Sequence, residues 1–328
     1  MKKKVLVTGA TGFTGGYLAE ELVKKGYHVK ALSLPNQDKS RLEKLGVEVI
    51  IGDLTKKDTL SAAVEQVDTV YHIAAIFREQ DVPHQLFFDV NVGGTKNLLE
   101  ASVDAKVRRF VHCSTVGVQG EIKNPPADEA APYNPGDYYQ QSKVEGEQLA
   151  LKFFKENEIE GVVFRPVGIY GPGDTRFLKI FKFVHSGKFR MIGNGNVLYH
   201  LTFVKDLVEG IILCGEKPEA VGEVFTLGGN EYVTLTEFIK LLAEAMNVPV
   251  PKKHVPLWPV WVAAVICEYA CYPFRIKPPL YRRRLEFFTN DRAFDISKAK
   301  RILGYNPKVP LKEGLKITAD WYREQGML

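Results

Sequence analysis

Cysteine is scarce in this chain: Cys113, Cys214, Cys267 and Cys271 are the four in 328 residues. Only the last two lie close together, at helical spacing, and no histidine pair accompanies them. Neither a disulfide framework nor a metal site is expected. Clean apolar runs are missing too. The longest apolar stretch, Val255 to Phe274, is broken by Pro256, Pro259, Glu268 and Pro273. It falls short of the roughly 20 uninterrupted residues of a membrane-spanning helix. Basic blocks are short, Lys2 to Lys4 and Arg282 to Arg284, on a formal net charge of only +5. No basic stripe interleaved with aromatics offers a nucleic-acid surface. Internal repeats and low-complexity tails are absent, and no leader is expected, because chemistry-bearing residues begin at Thr8. What these absences leave is a cytoplasmic α/β protein with reduced thiols, long enough for one large domain and a smaller lobe.

Glycine, by contrast, is placed with purpose. The apolar run Val5-Leu6-Val7 leads into Thr8-Gly9-Ala10-Thr11-Gly12-Phe13-Thr14-Gly15, and an amphipathic helix with Tyr17, Leu18 and Leu22 follows. A glycine triplet alone is weak, but strand before and helix after make this the turn of a dinucleotide-binding unit. Gly9 allows the tight turn, Gly12 admits a phosphate to the backbone, and Gly15 lets helix and strand pack closely. The helix start offers unpaired N–H groups and partial positive charge to a diphosphate.

Strand patterns recur at Val5–Val7, His28–Leu32, Val47–Ile51, Thr69–Ile73, Arg109–Cys113 and Val162–Arg165, with helical patterns between. This rhythm predicts a parallel sheet covered on both faces, the doubly wound Rossmann topology. Residues 1–165 form that domain, and 166–328 a smaller α+β substrate lobe, from which 201–216 return to the large domain. Short strands such as Glu223–Leu227 are expected in the lobe.

Tyr139 and Lys143 stand four residues apart on a predicted helix, so they share a face. Bringing a phenol from about pH 10 to neutrality costs about 4 kcal/mol. An ammonium about 4 Å away, at an effective dielectric near 20, supplies roughly that much. The pair can therefore serve general acid–base chemistry on a hydroxyl. Ser114 and Thr115 follow the fifth strand, at the carboxyl end of the sheet where ligands bind, and offer a hydroxyl to hold the substrate oxygen.

Together these residues resemble the extended short-chain dehydrogenases/reductases. The shared elements are the Thr8–Gly15 turn, Gly52-Asp53-Leu54, His72-Ile73-Ala74-Ala75, Asn91-Val92-Gly93-Gly94-Thr95, Ser114-Thr115, Tyr139 with Lys143, and Arg165-Pro166 followed by Gly168-Ile169-Tyr170-Gly171-Pro172. The resemblance implies catalysis by Tyr139, Lys143 and Thr115. It places Asp53 and Leu54 against adenine, Ala74 and Ala75 along the cofactor, Asn91 on nearby backbone, and Lys143 also on the nicotinamide ribose. Thr8, Gly9, Thr11, Gly12, Phe13, Gly15, Ser33, Ser114, Tyr139, Pro166 and Gly168 complete the implied cofactor contacts. It also implies a homodimer built on the helices near Thr95–Val103 and Tyr139–Glu156.

Within that group, Thr115-Val116-Gly117 lacks the acids of dehydratases. Gly168 and Tyr199 stand where nucleotide-sugar epimerases usually carry asparagine and arginine. The segment Leu257-Trp258-Pro259-Val260-Trp261 through Tyr272, with Lys277–Leu280 and Arg282-Arg283, resembles the 3β-hydroxysteroid and sterol dehydrogenase branch. A small-molecule substrate of sterol or terpenoid type is the leading expectation, and a nucleotide-sugar 4-epimerase with tightly held NAD the alternative. The second strand ends in Ser33-Leu34 with neither acid nor arginine, so the cofactor is NAD or NADP. Val255–Phe274 reads as a core helix of the small lobe, with contact at a membrane surface as the alternative.

Overall fold

The computed structural model describes residues 3–77, 82–274, 276 and 278–328. Lys2 of the first basic block and Lys277 of the Lys277–Leu280 stretch lie outside the described residues. Twelve strands occur in the described chain: β1 (Lys4–Thr8), β2 (His28–Ser33), β3 (Glu48–Ile51), β4 (Thr69–His72), β5 (Arg109–Cys113), β6 (Glu160–Pro166), β7 (Gly168–Tyr170), β8 (Met191–Ile192), β9 (Leu198–Phe203), β10 (Val224–Leu227), β11 (Tyr232–Thr234) and β12 (His254–Val255). Seven of these form one parallel sheet in the order β10-β6-β5-β4-β1-β2-β3. Val7 pairs with Ala31 on one side and Tyr71 on the other, which puts β1 in the interior of the sheet, next to the central β4. Its Val5, Leu6 and Val7 are fully buried, as a parallel strand covered on both faces requires. The strand order reverses between β1 and β4, so the crevice at their carboxyl ends is the natural ligand site.

One face is covered by the helices Phe13–Lys24 and Val204–Glu216, which bury Leu18, Leu22, Leu207 and Ile211. The other is covered by Thr95–Asp104 and Tyr138–Glu156, with Leu98, Leu99 and Ala150 packed around Phe110. A second core, holding Phe181, Tyr199, Phe238, Leu242, Leu315 and Tyr322, belongs to the lobe built on the β11-β9-β7 sheet.

Two expectations are corrected. Residues 223–227, expected in the lobe, supply β10, which pairs with β6 through Phe225 opposite Phe164. Phe225 and Leu227 are fully buried in the large-domain core beside residues of the helix Val204–Glu216. The cause is β6 itself: its apolar Val162, Val163 and Phe164 would otherwise leave an open edge, and the returning helix delivers the next strand to it. Tyr305 and the helix Ser297–Leu303 cover the same core.

The second correction concerns the apolar stretch. It forms the helix Leu257–Cys271, but only Ala264 in it is buried, so it is not a core helix. Among the described residues no helix is long and apolar enough to cross a membrane.

Candidate active site

The turn after β1 has the shape its glycines promised. Gly9 sits at φ +74°, and a Cβ there would lie 2.9 Å from the backbone of Ala74. A Cβ on Gly15 would stand 2.2 Å from the Gly9 carbonyl oxygen, so strand end and helix start meet without room for a side chain. Gly12 is the N-cap of the helix Phe13–Lys24, no side chain caps it, and its first turn holds no acid. The helix-start N–H groups are thus left to an external anion. Thr11 and Phe13 are half-buried in the turn. Arg176, held by Asp174 at 2.6 Å, brings its guanidinium to 5.5 Å from the Phe13 ring and 5.9 Å from that of Phe77. The cradle, the uncapped helix and the nearby cation suit the diphosphate of a nicotinamide dinucleotide.

Several expected cofactor contacts stand one layer behind the cleft. Thr8 is fully buried. Its hydroxyl accepts from the N–H groups of Ile73 and Ala74, both at 3.1 Å, and so donates to Nδ1 of His72 at 2.8 Å. The other ring nitrogen of His72 lies 3.0 Å from the Thr95 hydroxyl, which donates to the Asn91 carbonyl at 2.8 Å. This order makes His72 the neutral Nε2–H tautomer, and burial lowers its pKa to about 3. The Asn91 amide is consumed by Ile76, whose N–H it accepts at 2.9 Å and whose carbonyl it meets at 3.1 Å, and by Ser142 at 2.9 Å. Thr8 and Asn91 therefore tie the glycine turn to the helix Tyr138–Glu156. With their polar atoms engaged and their surfaces buried, they hold the cleft without lining it.

Ser33 is likewise buried, its hydroxyl turned to the Leu34 carbonyl at 3.1 Å. Lys39 donates to the carbonyls of Pro35 and Gln37, and Arg41 to Glu20. Asp53 folds a tight turn by accepting from the N–H and hydroxyl of Thr55, at 2.9 and 2.8 Å, and Leu54 is buried beside it. Ala74 is half-buried and Ala75 exposed after β4.

Asp137 caps the helix Tyr138–Glu156 by accepting from the Gln140 N–H at 2.5 Å. One residue into the first turn, Tyr139 is buried, its ring edge-on to Phe77 at 5.0 Å and to Phe87 at 6.4 Å. One turn on, the buried ammonium of Lys143 donates to the Cys113 carbonyl at 2.6 Å. Burial lowers its pKa, with the Cys113 thiol and Glu147 opposing. One turn further, Glu147 is fully buried and paired with Arg165 at 2.5 Å. It also accepts from Tyr133 at 2.8 Å and from the hydroxyl of Ser114. Ser114 is thereby turned into the protein, away from the cleft. Thr115 accepts from the Gly117 N–H at 3.1 Å, which leaves its own O–H proton to be donated.

A cavity of about 590 Å³ opens over this helix. Tyr139, Val116 and Gly168 form its sheet side; Tyr199, Phe287 and Arg292 form part of its lobe side. Pro166 is buried at the end of β6 behind Gly168. Tyr199 donates to the Phe287 carbonyl at 2.6 Å and accepts from Arg292 at 2.7 Å. Sequence reasoning missed Phe77, Phe87, Glu147 and Arg292. Glu147 was legible as the third member of the Tyr139–Lys143 face at helical spacing; Arg292 carried no local pattern.

Residues 5–228 match the NAD dependent epimerase/dehydratase family. The chain belongs to that family. It is an NAD(P)-dependent enzyme of the extended short-chain dehydrogenase/reductase type. It is 31% identical over 349 residues to the 3beta-hydroxysteroid-dehydrogenase/decarboxylase isoform 1 of Arabidopsis thaliana, covering 96% of this chain and 78% of that protein. It is 32% identical over 346 residues to the 3 beta-hydroxysteroid dehydrogenase/Delta 5-->4-isomerase of Mycobacterium tuberculosis, covering 97% and 90%. The crystal structure of UDP-glucuronic acid 4-epimerase from Bacillus cereus in complex with NAD superposes with a TM-score of 0.78 at 27% identity, covering 98% and 99%.

Proposed function

We propose that this family member interconverts a secondary alcohol and a ketone on an apolar, sterol- or terpenoid-like substrate. The observation that carries the reading is the cavity wall: Tyr139 shares it with Phe87, Val116, Phe177, Leu201 and Phe287. Such a wall rewards burial of apolar surface at about 25 cal/mol per Å². The 3beta-hydroxysteroid dehydrogenases among the relatives support the same class.

In this mechanism Tyr139 takes the hydroxyl proton of the alcohol. Lys143 favours the phenolate by its charge, and Thr115 donates a hydrogen bond that fixes the substrate oxygen. The nicotinamide, when bound, supplies the hydride acceptor. The residues that would hold the coenzyme are the turn Gly9–Gly15, Phe13 and Ala74, with Lys143 at the ribose. A panel of 3-hydroxysterols, terpenoid alcohols and nucleotide sugars, read by nicotinamide absorbance, tests this. Turnover of sterols with added NAD or NADP, lost in Tyr139→Phe, is the expected result.

One observation favours a second reading. Arg283, Arg284 and Arg292 reach the same cavity and offer charge to a sugar diphosphate. Arg292 is engaged with Tyr199 and Arg283 with Asp137, so a diphosphate would have to displace those partners. Epimerisation of a nucleotide sugar without added coenzyme would establish this alternative over the first. The proposal includes a homodimer through the adjoining helices Thr95–Asp104 and Tyr138–Glu156, tested by sedimentation at micromolar concentration. Four unbridged thiols support a cytoplasmic location.

A further inference from the structure

The helix Leu257–Cys271 contradicts its own composition. A helix apolar on every side belongs in a core, yet here only Ala264 is buried. Trp258 is 71% exposed, Tyr272 82% and Phe274 73%, with Trp261, Ile266, Tyr269 and Ile276 also exposed. This is a contiguous aromatic and aliphatic surface of the kind that marks an interaction site. At 15 residues the helix is about 22 Å long, short of the roughly 30 Å hydrocarbon core of a bilayer.

Charge identifies the partner. Residues 250–284 carry seven lysines and arginines against the single acid Glu268. That net +6 exceeds the +5 of the whole chain, so the remainder is close to neutral. A second copy docked face to face would bring two such cationic segments together at a direct cost in repulsion. An anionic surface instead gains about 1 kcal/mol from each cation of the segment that comes close to the headgroups. Tryptophan and tyrosine near both ends of the helix are the side chains that settle at headgroup depth.

The helix is also joined to the cavity mouth. The backbone N–H and Nε of Arg282 both donate to Glu268, each at 2.7 Å. Tyr281, Arg283 and Arg284, immediately along the chain, line the cavity that Tyr139 shares.

We infer that the helix Leu257–Cys271, with Tyr272, Phe274 and Ile276 beyond it, docks on the surface of an anionic phospholipid bilayer. The helix lies in the interface, and the cavity mouth beside it faces the lipid. That this position delivers an apolar substrate rests on the dehydrogenase reading; the docking itself does not.

The test is flotation of the full chain, without substrate or coenzyme, with vesicles of phosphatidylcholine alone or with added phosphatidylglycerol. The wild type is expected to float with the anionic vesicles about tenfold more than with neutral ones, and high salt is expected to release it. Its tryptophan emission should shift to the blue, since Trp258 and Trp261 are two of the three tryptophans. The triple variant Trp258→Asp, Ile266→Asp, Tyr269→Asp changes only exposed side chains. It should stay in solution with both vesicle types and keep wild-type turnover of a water-soluble secondary alcohol. Three results overturn the inference: no flotation of the wild type with anionic vesicles, equal flotation of the triple variant, or a wild-type oligomer that the triple variant breaks while vesicle binding is unchanged. The last would assign the surface to a second copy. If sterol turnover fails while flotation succeeds, the substrate reading falls and the docking stands.

Discussion

Removing the ammonium while keeping the length of the side chain, as in Lys143→Met, separates chemistry from folding at this site. Lys143 follows Tyr139 by one helical turn, which places their Cβ atoms about 5–6 Å apart. At an effective dielectric near 20, a unit charge about 4–6 Å away contributes roughly 3–4 kcal/mol to favouring the phenolate. Loss of that contribution predicts a fall in kcat/KM for alcohol oxidation at pH 7 of about 10²–10³-fold. Activity should then recover as pH rises toward the ordinary phenol range near 10. The recovery is the informative part, because a variant that had merely lost coenzyme binding would stay inactive at every pH. Stability should change little. Burial lowers the Lys143 pKa, so the folded state pays for carrying its charge at neutral pH, and that cost disappears in the variant. Against this stands one unmade hydrogen bond to the Cys113 carbonyl, worth about 1–2 kcal/mol. The assay is initial rate against pH with saturating coenzyme, beside a thermal melt. A variant whose pH profile keeps the wild-type shape would refute the electrostatic role of Lys143, whatever its absolute rate.

Gly15→Ala should weaken coenzyme binding by more than about tenfold in a nicotinamide fluorescence titration. The new methyl would stand 2.2 Å from the Gly9 carbonyl oxygen and force the turn open. Arg165→Met takes the cationic partner away from the fully buried Glu147, so it should lower stability by about 3–5 kcal/mol in a thermal or denaturant melt. The double variant with Glu147→Leu should recover part of that loss, and strict additivity would show that the two groups do not act as a pair. His72 gives an acid-side prediction. Burial holds its folded pKa near 3, below the 6.5 of the unfolded chain, so the unfolded state takes up the proton first. Its contribution is complete above about pH 6.5 and is lost as pH falls toward about 3, on the order of 5 kcal/mol over that window. His112 shifts in the same direction for the same reason. In His72→Gln the melting temperature should fall less steeply between pH 6 and 4 than in the wild type, as calorimetry across that range would show.

The parts of the molecule that the sequence exposed are those where local chemistry and global fold make the same demand. Val5–Val7 before Gly9 can hardly be anything but a central parallel strand entering a turn, and Tyr139 with Lys143 share a helix face by periodicity alone. What stayed hidden depends on partners remote in the chain. The strand Val224–Leu227 is as apolar as any lobe strand, and only the open edge of β6 decides where it pairs. Arg292 meets Tyr199 across 93 residues. Thr8, Ser33, Asn91 and Ser114 lie in the right segments, but their hydroxyls and amide turn inward to Ile73, Leu34, Ile76 and Glu147. A motif reports which backbone passes the site, whereas the direction of a side chain follows from which buried groups still need a partner. The same rule explains the one place where composition misled outright. The apolarity of Leu257–Cys271 read as burial within the chain, because sequence alone records that a surface must be covered and not what covers it.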